Sequence, residues 1–153
     1  MKSMKLTTIF GLPVSLTVLA CASHAADVIK PGAYRVDING KTRDLCVGDI
    51  ANAELSAKGW QQRLAEQGIR CNLDRPKRDS RAASWSATCS APGMGKVYNT
   101  AYLVTVKVNP DQSFELLTLL SGDLQAKILT VGKPLSDGDG SCTSQHETFR
   151  PWQ

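Results

Sequence analysis

Histidine is nearly absent from this 153-residue chain. There are two, and one of them, His24, falls in an N-terminal segment with the marks of an export signal. His146 is then the sole imidazole of the mature protein, which removes the commonest general base and the commonest metal ligand from almost the whole sequence. Aromatic residues are sparse as well, at 6%, and none is interleaved with the basic residues in the manner of nucleic-acid readers, so no nucleic-acid partner is expected. Long apolar runs are missing. The best of them, from Ile9 to Ala22, is interrupted by Pro13 and falls short of the roughly 20 residues that span a bilayer, so no transmembrane span is expected. Neither charge dominates once the signal is set aside. Its 25 residues hold two of the 18 Lys and Arg and none of the 14 acids, leaving a formal charge of +2.

What is present at the N-terminus is Lys2 and Lys5, then the apolar run, then the small-residue exit Ser23-His24-Ala25, the three parts of a secretory signal. The expected division is a signal peptide over 1–25 and one domain over 26–153, a length close to the commonest domain size. Two processing routes stay open. Ser23 and Ala25 suit an ordinary signal peptidase, which releases a periplasmic protein, whereas Val18-Leu19-Ala20-Cys21 resembles a lipobox and leads to a lipid anchor on Cys21.

By either route Cys46, Cys71, Cys89 and Cys142 are the structural thiols, and in an oxidising compartment four cysteines imply two disulfides. They lack the close pairs of a zinc site, so no metal is expected. Of three pairings, Cys46 with Cys71 and Cys89 with Cys142 is the expected one. The first bracket clamps a helix between its flanking strands, and the second gives the C-terminal tail a reason to be ordered.

Tyr34, Val36 and Ile38 alternate with polar residues, and Asn39-Gly40 is the strongest short hairpin signal there is, so a strand pair follows on either side of it. Ile50, Ala53, Ala57, Trp60 and Leu64 then recur at helical spacing, predicting one amphipathic helix from about Ile50 to Gln67, capped by Asp49 and marred by Gly59. Alternation returns after Gly68. Ile69, Cys71 and Leu73 precede a charged turn, and Ala83, Trp85, Ala87 and Cys89 share one face beyond it. Strands over Tyr102–Val108, Phe114–Leu120 and Leu124–Val131 complete a meander, followed by a polar loop over Gly132–Ser141 and a weakly patterned tail. The fold class is mainly β (α+β), a curved antiparallel sheet or barrel-like meander with one packed helix and two disulfides.

Chemistry is scarce along this frame. Asp137-Gly138-Asp139-Gly140-Ser141 imitates the start of a calcium loop, but the sixth position is Cys142 and the twelfth Thr148, so it reads as a surface turn. Gly93-Met94-Gly95-Lys96 lacks the upstream glycine and the following Ser or Thr of a phosphate loop and reads as a hairpin turn. His146 has no nucleophile elbow beside it. Arg70, Arg75, Lys77, Arg78 and Arg81 form the one basic cluster, interrupted by Asp74 and Asp79, and read as a solvated turn. No catalytic residue and no cofactor is expected.

Lys30-Pro31-Gly32-Ala33-Tyr34, Cys46 before the helix, Cys71 after it, Ser84-Trp85-Ser86-Ala87-Thr88-Cys89 and Gly140-Ser141-Cys142 together resemble a family of small exported proteobacterial proteins of unknown function, with an N-terminal Pro-Gly-aromatic motif and four spaced cysteines. The family usually has Trp where Tyr34 stands and ends soon after its last cysteine, whereas eleven residues follow Cys142 here. The resemblance implies an antiparallel β fold in the bacterial envelope and no established catalytic residues. The expected function is accordingly a non-enzymatic periplasmic binding module for a small ligand or an envelope partner. The alternative is an inhibitor or interaction protein that presents the 132–141 loop to an exported enzyme. An apolar cavity favours the first and an ordered projecting loop the second.

Overall fold

The computed structural model describes residues 29–135 and 140–152. The signal segment with Cys21, and Asp137, Gly138 and Asp139 of the calcium-like turn, lie outside the described residues.

Two-residue periodicity turns directly into strands. β1 (Gly32–Ile38) and β2 (Lys41–Val47) pair through Asn39-Gly40, where both residues have positive φ, 50° and 85°, as a type I′ turn requires. Asn39 also locks the turn to the sheet, its backbone N–H donating to the Leu129 carbonyl at 3.1 Å and its Oδ1 accepting from the Leu129 N–H at 2.9 Å. β3 (Arg70–Leu73), β4 (Lys77–Arg78), β5 (Ala82–Gly93), β6 (Lys96–Val108), β7 (Phe114–Gly122), β8 (Ala126–Pro134) and β9 (Glu147–Thr148) follow. The sheet runs β3-β5-β6-β7-β8-β1-β2-β9, with β4 paired to β5. It curves but does not close, and the last pairing, β2 with β9, is parallel.

One face of this sheet is the core. Trp85, Val104 and Thr118 stand in one cross-strand row and Ala83, Val106 and Leu116 in the next, all buried. Phe114 faces Gly132 across β7 and β8, and a Cβ on Gly132 would overlap the Phe114 ring. The missing side chain lets that ring lie flat on the strand, where it meets Tyr34 at 5.6 Å and Phe149 at 5.5 Å between centroids. As expected from their positions, Trp60 and Trp85 share this core, 6.2 Å apart.

The single expected helix is two. α1 (Asp49–Glu54) and α2 (Ala57–Glu66) are separated at Leu55 and Ser56. Gly59 explains the break, since a Cβ there would collide with the Ala53 carbonyl. The chain folds back tightly enough to need glycine, and Ser56 Oγ caps the new start by accepting the Gly59 N–H at 2.9 Å. Gly48 is the N-cap of α1 and no side chain caps it, so Asp49 is the first helical residue instead of the cap. Breaking the helix also rotates its buried stripe. Ile50 is 53% exposed while Ala51, Leu55, Ala57, Trp60 and Leu64 are buried.

The disulfides are Cys46–Cys142 and Cys71–Cys89, not Cys46–Cys71 and Cys89–Cys142. β3 and β5 are adjacent antiparallel strands that place Cys71 directly opposite Cys89, with Cα atoms 4.0 Å apart. Cys46 is left for the tail, whose β9 lies along Leu45 and Cys46. That tail is ordered by packing as well: Phe149 is 1% exposed, and its N–H donates to the Cys46 carbonyl at 2.7 Å.

The basic turn is exposed throughout, as expected. Asp79 organises it by accepting the Arg81 and Ala82 N–H groups at 2.8 and 2.7 Å, which hold its carboxyl below the ordinary range. Arg70 does not belong to this group. It sits opposite Ser90, whereas Arg78 sits opposite Ala83 at the other end of β5. Replacing Arg75, Lys77 and Arg78 by Ala should change stability by no more than a few tenths of a kcal/mol, because exposed charges each contribute little. Urea unfolding of the triple variant checks this, and a marked loss would show a structural role.

Candidate functional site

The core face of the sheet is longer than the helices that cover it. Beyond Trp60 and Leu64 the floor continues as Leu116, Thr118 and Leu120 on β7 with Ile128 and Thr130 on β8, each strand contributing alternate residues so that all five point the same way. Tyr102, opposite Leu120, Ile38, opposite Thr130, and the tail residues Pro151 and Trp152 complete the walls. The result is a groove of about 260 Å³. Ile38 and Ile128 are 37% and 39% exposed at its mouth, while Trp60 at its base is 1% exposed and meets the Tyr102 ring edge-on at 5.5 Å. Burial pushes the Tyr102 hydroxyl above its ordinary range, so it is protonated at neutral pH.

The tail wall is held by α1. Arg150 Nε donates to Glu54 Oε1 at 2.9 Å, its Nη2 donates to the same oxygen, and the Trp152 indole N–H donates to the Glu54 carbonyl at 2.7 Å. Glu54 matches the Arg150 charge and favours its protonated form still further. The guanidinium therefore reaches the groove already compensated, and the lining offers hydroxyls and apolar surface in place of an open charge.

A second recess of about 370 Å³ runs along the α1–α2 seam beside Glu54, Arg63, Glu66 and Arg150. Its character is ionic, with Arg63 bonded to Glu66 at 3.1 Å and with Glu54 Oε2 and Arg63 Nε buried without a hydrogen-bond partner.

The residues singled out from sequence do not assemble a reactive centre. His146 stands on the tail, where Nδ1 accepts the Thr143 N–H at 2.9 Å, and it lines no part of the groove. Gly93–Lys96 is a hairpin turn, as expected. The ends of the 132–141 loop are tied to β1, with Leu135 N–H donating to the Ala33 carbonyl and Ala33 N–H to the Gly140 carbonyl. Among the described residues, no three His, Cys, Asp or Glu side chains converge to hold a metal ion, and no helix is long and apolar enough to cross a membrane.

Sequence reasoning missed the groove because it is built from strand ends, a helix face and a tail brought together only by the fold. Its one local signal was Ile128, an apolar residue left in an otherwise polar stretch from Ser121 to Lys127 and beyond. Comparison with protein-family models, with characterised proteins and with solved structures finds no match.

Proposed function

We propose that this chain is a non-enzymatic binding module of the bacterial periplasm whose groove takes a neutral apolar group. The observation that carries this is the exposed apolar floor of Leu120 and Ile128 backed by buried Trp60. Size sets the ligand class. A cavity of roughly 150 Å³ holds benzene, and complete ligand pockets run from about 300 Å³ upward, so 260 Å³ suits a two-ring aromatic or a short acyl end, not a whole large ligand. Charge narrows it further. With Arg150 already paired to Glu54, an anionic ligand gains little that a neutral one lacks and loses its hydration.

Two disulfides support an exported location, as do the signal-like segment 1–25 and the resemblance to exported proteobacterial proteins. Release after Ala25 is the route proposed here, with lipid attachment at Cys21 as its competitor, and the intact mass of envelope-purified protein decides between them.

N-phenyl-1-naphthylamine, a neutral fluorescent probe of the right size, should bind and shift to the blue. Ile128→Glu places a charge on the groove floor at a partly exposed position, so it should weaken binding at least tenfold with little change in Tm. The sulfonated anilinonaphthalene analogue should bind more weakly than the neutral probe. Equal binding by wild type and Ile128→Glu would refute the groove as the site.

A further inference from the structure

The molecule contains the same tight turn twice, built from different residues. Asn39-Gly40 closes β1 and β2 with φ of 50° and 85°, and Met94-Gly95 closes β5 and β6 with φ of 47° and 77°. Asn is the residue that tolerates the left-handed first position, and Asn39 uses its side chain to bind Leu129. Met gains neither advantage. It accepts an unfavourable backbone conformation while its side chain is 99% exposed, so neither turn geometry nor packing accounts for it.

The turn is also the tip of a projection. β3 follows β5 only as far as Ser90, and β7 follows β6 only back to Thr100, so Ala91–Asn99 extends as a two-stranded ribbon with no neighbour on either side. Val97 is 59% exposed on it, and Lys96 lies 4.4 Å over the Tyr98 ring. Pro92 faces Val97, a non-hydrogen-bonded pair of a two-residue hairpin, where its missing N–H removes a donor that would have pointed outward. Arg70 stands opposite Ser90 at the ribbon's base. Leu124, 42% exposed, lies on the adjacent β7–β8 turn, whose Asp123 carboxylate accepts the Asn99 N–H.

We infer that this ribbon tip is a contact point for an anionic phospholipid surface, with Met94 and Val97 entering the headgroup boundary and Lys96 and Arg70 meeting lipid phosphates. A ribbon this slender and convex cannot supply the 1,000 Å² or more of complementary area that a specific protein interface needs. A lipid surface demands no such area: it rewards an apolar tip flanked by cations.

The full mature chain should co-sediment with phosphatidylglycerol vesicles in the millimolar lipid range, weakly or not at all with phosphatidylcholine vesicles, and less as salt is raised. Met94→Asn should reduce the association at least tenfold. It should keep or raise Tm, because Asn suits the turn, and misfolding therefore cannot explain the loss. Lys96→Glu should cost fivefold or more. Ile128→Glu should leave vesicle binding unchanged, which separates this contact from the groove. Three results would overturn the proposal: no association with phosphatidylglycerol, undiminished association of Met94→Asn, or loss of association on replacing Arg75, Lys77 and Arg78, which would move the contact to the basic turn at the far end of β5.

Discussion

Removing the Cys46–Cys142 bridge by a double Ala substitution should lower the unfolding free energy by about 4–5 kcal/mol, the largest effect expected of any covalent change in the molecule. The bridge closes a separation of 96 residues, against 18 for Cys71–Cys89. On the chain-entropy account the longer loop restricts the unfolded chain more, so loss of the shorter bridge should cost about 3 kcal/mol. The native state adds to the difference. Cys71–Cys89 joins residues that β3 and β5 already hold opposite each other, whereas Cys46–Cys142 secures a tail whose only strand, β9, has two residues. Loosening the tail also frees Arg150 and Trp152 from Glu54 and opens one wall of the groove. Denaturant unfolding of the two double variants should rank them in that order, and the Cys46/Cys142 variant should also bind the naphthylamine probe more weakly.

Trp60→Ala should destabilise by about 3–5 kcal/mol. Trp60 is 1% exposed, contacts Trp85 and Tyr102, and connects α2 to the sheet, so truncation leaves a void that backbone on both sides is too constrained to fill. Trp85→Ala should fall in the same range. Trp85→Phe should be far milder, since the Trp85 indole N–H is buried without a hydrogen-bond partner and its removal offsets part of the lost packing. Thermal and urea unfolding check these values. A near-neutral Trp60→Ala would show that α2 does not anchor to the core through this residue.

The strands were legible because their signals are local. Alternation marked the buried rows on β5 and β6, and Asn39-Gly40 and Gly93–Lys96 marked hairpins that the pairing reproduces. The disulfide pairing was legible too but was read wrongly. A charged turn between two cysteine-bearing strands implies a hairpin, Ser80 lies midway between Cys71 and Cys89, and antiparallel pairing about that centre sets the two cysteines opposite each other. The supposed clamp across the helix ignored that register. The helix was misjudged for a different reason. Three- and four-residue spacing continues across Leu55–Ser56 in the sequence, whereas the break depends on how closely the Ala53 carbonyl approaches Gly59, a distance no pattern reports. The tail could not be read, because a two-residue strand has no periodicity and Phe149 matters only through Phe114, a partner 35 positions away.

The central claim is that the uncovered end of the sheet's core face is a ligand site, and an amide and indole chemical-shift map of the mature chain titrated with N-phenyl-1-naphthylamine tests it most directly. Binding in the groove predicts saturable shifts at Tyr102, at Leu116–Leu120, at Ile128–Thr130 and at the Trp60 and Trp152 indoles, with the 91–99 ribbon and His146 unmoved. Shifts confined to the ribbon, to the α1–α2 seam or to the outer face of the sheet at Leu103 and Leu129, or no saturable shift at all, would contradict it.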